Sequence, residues 1–383
     1  MQLSVVIPCL NEIETIRSVV KTARAALEKE GLSGEVIVAD NGSDDGSQRA
    51  AQTEGARVID VSVKGYGSAL SGGIVASQSD AVIFADADCS YDFGELRRFW
   101  DQLEAGADLV VGTRFPRAGG ILDPGAMPWL HRYVGTPALS LVGRILFSAK
   151  LSDFNCGMRA ITRTAYDKLN LQTPGMEFAS EMIIKASLFG LRICEVPIHF
   201  HKDARGRPPH LRTFRDGWRH LRFMLICSPR WLFLYPGLVL LILGLMGGLA
   251  LMPGPVHVGH IGFDTNTLLV CAMMLLLGNQ LISMGTVAKF YAVQIGMHPQ
   301  SRSSDVLRAT FGLERWAIIG LFFQLAGMAL LGFGVFVWNK VGFGPLSYPD
   351  SLRIVIPAVT LIMLGTQIIF HSFLIGMVSR AHA

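Results

Sequence analysis

Three acidic clusters in this chain each follow directly on a short apolar run. Val36 to Ala39 leads into Asp40 and Asn41, and Val82 to Ala85 leads into Asp86, Ala87 and Asp88. The run Leu3 to Ile7 ends in Pro8, Cys9, Leu10, Asn11 and Glu12. If the apolar runs are strands of a parallel sheet, these groups stand at carboxyl ends, where such sheets bind ligands. Asp86 and Asp88, separated by one small residue, suit a hard divalent cation that also holds phosphate oxygens, as Mg²⁺ does. A cation there would stabilise charge on a departing diphosphate as a Lewis acid. The alternative is an ordinary solvated acidic pair; placement after an apolar strand argues for the site. Lys64 and Gly65 open a glycine-rich stretch to Gly73 where backbone can approach a phosphate or a sugar. It fits neither the P-loop nor the dinucleotide fingerprint, and a plain turn into a helix explains it equally well.

The elements that must position these groups are legible as alternating strands and helices. Leu3 to Ile7, Val36 to Ala39, Arg57 to Val61, Ala81 to Ala85 and Leu109 to Gly112 are β-branched and apolar, as buried strands are. Ile13, Ile16, Val20, Ala23 and Leu27 recur at helical spacing. The expected fold is α/β, a mostly parallel sheet with helices on both faces, followed by an all-α membrane domain.

The membrane domain follows from where the apolar residues lie. Hydrophobic residues make up 50% of the chain and charged ones 17%, with a mean hydropathy of +0.40. Four stretches, near 231–251, 267–287, 316–338 and 354–378, carry no charge in their interiors and match the roughly 20 apolar residues that span a bilayer. Trp231, Tyr235, Trp316 and Trp338 stand near their ends, as interfacial aromatics do. The connection from Lys289 to Arg315 contains Arg302 and Arg308, whereas Met252 to Asp264 has no Lys or Arg. The positive-inside bias predicts both termini and residues 1–210 on the cytoplasmic side of the cell membrane. No signal peptide is expected in the first residues, since no basic start precedes the apolar run. The net charge of +4 implies no nucleic-acid partner. The six cysteines are scattered and are expected to be reduced.

The segments VVIPCLNE, VADNGSDDGS, KGYGSALSGG, DADCSYD and GTRF occur in this order. Together they resemble the inverting GT-A glycosyltransferases of family 2, more narrowly the dolichol-phosphate mannose and glucose synthase group. SDFNCGMR, MEFASEM and the run from Lys202 to Phe223 resemble that group too. The resemblance implies transfer of a hexose from a nucleotide sugar to a polyprenyl or dolichyl phosphate, with Mg²⁺ or Mn²⁺. It places the nucleotide sugar among Pro8, Asn11, Glu12, Asp40, Asn41, Lys64, Gly65, Asp86, Ala87, Asp88 and Arg114. Asp86 and Asp88 would hold the metal. Where the mannose synthases commonly carry Gln, Ser90 stands here, so the third protein ligand is open. Asp88, Arg114 and Asp153 are the implied catalytic set. Asp153 would orient the acceptor or act as a base, with a helix N-cap or a structural carboxylate as the other readings. The acceptor phosphate would meet Arg132, Arg205, Arg207, Arg212 and Arg215. UDP-glucose or UDP-N-acetylglucosamine is the preferred donor, with GDP-mannose as the alternative.

Residues 211–230 read as an amphipathic juxtamembrane helix. Phe214, Trp218, Leu221 and Leu225 share one face, with Arg215, Arg219 and Arg222 beside it, a pattern that lies in the headgroup plane. Ser304 to Leu313 reads as a second interfacial segment, and the Gly- and Pro-containing stretch Phe115 to Trp129 as a mobile loop over the acceptor side. Asn279, Gln280, Gln324, Gln367 and His371 are polar groups inside the spans, fit to join helices or line a lipid path. Two other functions fit the same architecture. A processive polysaccharide synthase shares the fold, but the Gln-x-x-Arg-Trp pattern such enzymes show has Cys227 or Gly312 in place of Gln here. A lipid transporter or scaffold would use the helices themselves, and association of copies is compatible with all of these.

Overall fold

The computed structural model describes residues 2–205, 213–300 and 312–380. The chain divides into two compact units, Met1–Cys227 and Ser228–Ala383. The first contains, in order, β1 (Leu3–Cys9), α1 (Ile16–Lys29), β2 (Gly34–Asp40), α2 (Ser47–Thr53), β3 (Arg57–Asp60), α3 (Tyr66–Ala76), β4 (Ala81–Phe84), α4 (Leu96–Glu104) and β5 (Leu109–Thr113). It continues through β6 (Ile121–Leu122), α5 (Thr136–Phe147), β7 (Arg159–Thr162), α6 (Arg163–Leu169), α7 (Phe178–Leu188), β8 (Ile193–Pro197), β9 (His199–Phe200) and α8 (Thr213–Ile226).

Seven strands form one sheet in the order β3-β2-β1-β4-β7-β5-β8. All neighbours are parallel except β7, which runs antiparallel between β4 and β5. This is the mostly parallel Rossmann-like sheet expected from the sequence, with two additions. β7 and β8 were not foreseen, because Arg159 begins β7 and Glu195 sits within β8, so neither reads as a continuous apolar run. Arg159 is fully buried, its guanidinium donating to the carbonyls of Cys156, Phe154 and Ala179. Burying such a charge is tolerated because each of the three guanidinium nitrogens finds a carbonyl oxygen. β1 is buried along its whole length, and its register with β2 pairs Cys9 with Asp40. The ends of β1 and β2 therefore open side by side.

In α8 the sequence-level division of faces is refined. Asp216, His220, Met224 and Cys227 are buried at spacings of three or four, and His220 Nδ1 lies 2.8 Å from Ser180 Oγ on α7. Burial lowers the His220 pKa, which favours the neutral ring in that contact. Phe214 and Trp218 stay exposed at 83% and 58%. The helix is thus packed on the first unit by one face and presents its aromatics on another. Trp129, Tyr133, Leu141 and Ile145, in and just before α5, are also exposed, a stripe that the sequence pattern did not single out.

The second unit contains α9 (Tyr235–Leu251), β10 (Val256–Val258), β11 (Ile261–Phe263), α10 (Thr265–Gln294), α11 (Leu313–Lys340) and α12 (Tyr348–Arg380). Four helical segments are long and apolar enough to cross a membrane, and each contains one of the apolar stretches read from sequence. Polar groups join them. Asn279 of α10 donates to Gln367 of α12 at 2.9 Å, and Gln324 of α11 donates to Thr366 of α12 at 2.9 Å. The Ser304 to Leu313 segment falls almost entirely outside the described residues.

Small residues set the contact between α11 and α12. A Cβ on Gly365 would stand 2.4 Å from the carbonyl oxygen of Gly320, and one on Gly320 would stand 2.7 Å from that of Gly365. Close backbone approach of this kind drives helix association in membranes. Gly365→Leu is expected to force the pair apart and cost about 1–3 kcal/mol, as overpacking does. A lowered melting temperature of the detergent-solubilised protein checks it.

Candidate active site

The ends of β1 and β2 are stitched together by side chains. Asn11 has a φ of 58°, a left-handed conformation that Asn tolerates better than most residues. Its amide N–H donates to Ser43 Oγ at 2.8 Å, and its own Oδ1 accepts from Asp44 at 2.9 Å. The Glu12 N–H donates to Ser47 Oγ at 2.8 Å. Asp40 lies beneath this seam, completely buried. Its Oδ2 accepts from the N–H groups of Gly42 and Ser43, both at 2.9 Å, and from Gln48 at 2.7 Å. Burial alone would raise its pKa, but the hydrogen bonds led by Ser43 and Gln48 outweigh it and hold the carboxyl below its usual value. Asp40 Oδ1 is buried with no hydrogen-bond partner among the described residues, and one further donor would satisfy it.

Asn41 and Lys64 serve the neighbouring loop. Asn41 donates to the carbonyls of Val61 and Val63, accepts from the Gly65 N–H at 2.7 Å, and its own carbonyl accepts from Lys64 at 2.6 Å. Gly65 has a φ of 136°, and a Cβ there would meet the Pro174 carbonyl oxygen at 2.2 Å. The glycine is therefore required for contact with the chain's own backbone.

At the end of β4, Tyr66 donates to Asp86 Oδ1 at 2.8 Å, and the Ser90 N–H donates to Asp88 Oδ1 at 3.0 Å. Burial, reinforced by the charge of Asp88, pushes the Asp86 carboxyl up to about 7. Arg205 lies across the acidic groups: it bonds Glu12 Oε1 at 3.0 Å, Asp88 Oδ2 at 3.0 Å and Asp203 Oδ2 at 2.6 Å. One arginine thus gathers carboxylates from the ends of β1 and β4 and from the chain after β9. Hard oxygens from Asp86 and Asp88, in mutual repulsion, fit Mg²⁺ or Mn²⁺. Ser90 and Ala87 are both buried.

Arg114, just past β5, forms a forked ion pair with Asp153: Nε to Oδ2 is 2.7 Å and Nη2 to Oδ1 is 2.9 Å. Arg114 is 8% exposed and Asp153 is 0% exposed. The guanidinium also stacks 5.2 Å from the centroid of the Phe200 ring. Glu195 of β8 fixes the Asp153 segment by accepting from the N–H groups of Ser152 and Asp153. Asp153 is therefore no helix N-cap, and both its oxygens are engaged by Arg114.

The structure brings Asn11, Glu12, Asp40, Asn41, Lys64 and Gly65 together, and Arg205 links Glu12 to Asp88. Pro8 is buried inside β1 and pairs in register with Ala39. Arg132 stacks over Tyr133, and Arg215 is an exposed residue of α8 beside Asp216. Arg207 and Arg212 lie outside the described residues. Sequence reasoning did not single out Tyr66, Asp203 or Glu195. Tyr66 stands inside the glycine-rich stretch, while Asp203 and Glu195 give no local signal. All six cysteines are free thiols.

Comparison with known proteins identifies the family. A model described as glycosyl transferase family 2 matches residues 4–169. Another, described as the glycosyltransferase family 2 C-terminal transmembrane region, matches residues 286–379. The chain is 38% identical over 379 residues to the low-salt glycan biosynthesis hexosyltransferase of Haloferax volcanii, covering 98% of this chain and 88% of that protein. It is 30% identical over 202 residues to a dolichyl-phosphate hexose transferase of the same organism, covering 53% and 84%. Among solved structures, glucosyl-3-phosphoglycerate synthase from Mycobacterium tuberculosis in complex with Mn²⁺ and UDP-glucose has 25% identity and a TM-score of 0.47, covering 59% of this chain and 78% of that one. The class is that of membrane-embedded sugar-transferring enzymes. The chain belongs to glycosyltransferase family 2, with that family's C-terminal transmembrane region.

Proposed function

We propose that this glycosyltransferase moves a hexose from a nucleoside-diphosphate sugar to a polyprenyl or dolichyl phosphate, with inversion, at the cytoplasmic face of the membrane. The observation that carries this reading is the convergence at one sheet edge of a carboxylate with a spare oxygen, an acidic pair and two arginines. Asp40 Oδ1, buried and unpartnered among the described residues, would accept an N–H from the nucleobase. Asp86 and Asp88 would hold Mg²⁺ or Mn²⁺, which when bound stabilises the departing diphosphate as a Lewis acid. Arg205 and Arg114, held by carboxylates, would place guanidinium charge where substrate phosphates could exchange for part of those contacts. An oxygen of the acceptor phosphate attacks the anomeric carbon, the bond from that carbon to the diphosphate oxygen breaks, and the nucleoside diphosphate leaves with the electron pair. The acceptor is already ionised near neutral pH, so no strong base is needed, and positioning with charge stabilisation supplies the acceleration. The pairing of Asp153 with Arg114 supports a positioning role for that carboxylate.

The names of the two Haloferax relatives support hexosyl transfer and a dolichyl-phosphate acceptor. The exposed Phe214 and Trp218 beside Arg215 on α8 suit a helix resting among lipid headgroups. UDP-glucose or UDP-N-acetylglucosamine is the donor we put first. Release of nucleoside diphosphate by the full-length enzyme in detergent should depend on added polyprenyl phosphate. Equal release with and without the lipid would contradict the acceptor.

Asp40→Asn is expected to weaken donor binding by about 1.5–3 kcal/mol, the range for hydrogen bonds to charged groups. Titration of the nucleoside diphosphate by calorimetry checks it. Donor binding should fall while the melting temperature without ligand changes less.

A further inference from the structure

His199 and His201 flank Phe200 in an extended segment, so they share one face while Phe200 turns to the other. Phe200 packs edge-on to Tyr91 at 5.0 Å and under Arg114. The two imidazoles face away from that contact, with ring centroids 4.0 Å apart. Asp123 follows β6, whose pairing with β9 sets Leu122 beside Phe200, and its N–H donates to the Phe200 carbonyl at 3.0 Å. Its carboxylate reaches both rings: Oδ1 lies 2.7 Å from His199 Nε2, and Oδ2 lies 3.1 Å from His201 Nδ1. One ligand atom from each residue can be chosen so that all lie within 4.8 Å of one another.

We propose that Asp123, His199 and His201 form a second metal site, distinct from the Asp86–Asp88 pair, that takes a borderline transition cation of the Zn²⁺ class. Two imidazoles and one carboxylate are the ligand set such ions prefer, whereas Mg²⁺ favours an all-oxygen octahedron. Metal–ligand bonds of about 2.0–2.2 Å in a tetrahedron separate the ligand atoms by roughly 3.3 Å, so the present spacing needs only small side-chain shifts. All three residues are half-buried, which leaves room for water at the remaining position. The ion would staple β6 to β9. On one strand that clip lies within the Phe115–Trp129 stretch that follows Arg114, and on the other it precedes Asp203 and Arg205, so metal occupancy would fix both arginine-bearing segments.

The test uses untagged full-length protein in detergent, stripped with chelator, in an Asp86→Asn/Asp88→Asn background that removes the other carboxylate site. Calorimetry with Zn²⁺, and Co²⁺ absorption as a spectroscopic probe, should show one equivalent bound per chain and a raised melting temperature. Adding His199→Ala should abolish that binding, a greater loss than the roughly 10–100-fold that outer-shell substitutions cost. Asp123→Asn, which keeps size but exchanges one acceptor oxygen for an amide donor, should weaken it if the histidine variant does not fold. No Zn²⁺ uptake in the background protein, or uptake unchanged by both His199→Ala and Asp123→Asn, would overturn the site.

Discussion

Replacing Asp88 by alanine should lower kcat/KM for sugar transfer by on the order of 10³-fold, the upper range for losing one preorganised electrostatic contact at developing charge. Asp88 makes three contacts. Its Oδ1 is oriented by the Ser90 N–H, its Oδ2 holds Arg205, and its carbonyl accepts from Ala204. Removing the side chain takes away one of two proposed cation ligands and frees Arg205 to collapse onto Glu12 and Asp203, which it already bonds. The loss should appear mainly in kcat and should not be recovered by raising the Mn²⁺ concentration. The melting temperature should change little, because the remaining carboxylates still neutralise Arg205. Initial rates across a metal titration, beside a melting curve, check both parts. Full activity in Asp88→Ala would remove the metal assignment.

The largest stability effect is expected at Asp153. Its carboxylate is fully buried, and its ion-pair partner among the described residues is Arg114, itself nearly inaccessible. Asp153→Ala would leave a guanidinium buried without its counter-charge, and breaking a buried pair in this way costs about 3–5 kcal/mol. Replacing both partners with apolar residues removes the charge instead of stranding it. Arg114→Met/Asp153→Leu should therefore recover much of the lost stability, yet remain inactive if Arg114 serves the substrate phosphates. Melting curves of the single and double variants, with transfer rates for each, separate packing from function. A double variant as unstable as the single one would contradict the ion-pair account. Recovered activity in it would show that Arg114 is only structural.

What could be read from the residues beforehand follows a physical divide. Asp40 and Asp86 were legible because each ends a continuous apolar strand, and strand ends in parallel sheets are where ligands gather. The membrane helices were legible from uninterrupted apolar length. Arg205 was placed with the acceptor phosphate by motif, but its contacts with Glu12 and Asp88 span 193 and 117 residues of sequence, a separation that no local pattern encodes. The same holds for Glu195, which fixes Asp153 from another strand. The β6–β9 clip has two residues in each strand, too few for an alternating pattern to declare itself. In the membrane unit, the polarity of Asn279 and Gln367 was plain, while their pairing depended on helix packing.

The central claim is that one hexose is joined to a lipid monophosphate. Its most direct test is mass spectrometry of the lipid product formed by purified full-length enzyme from an α-linked nucleotide sugar, polyprenyl phosphate and Mn²⁺. The expected result is a single product, polyprenyl phosphate carrying one hexosyl residue in β linkage, formed together with the nucleoside diphosphate and absent from Asp88→Ala. A polymer, or a product in which the polyprenyl phosphate is left unmodified while sugar is transferred elsewhere, would contradict it.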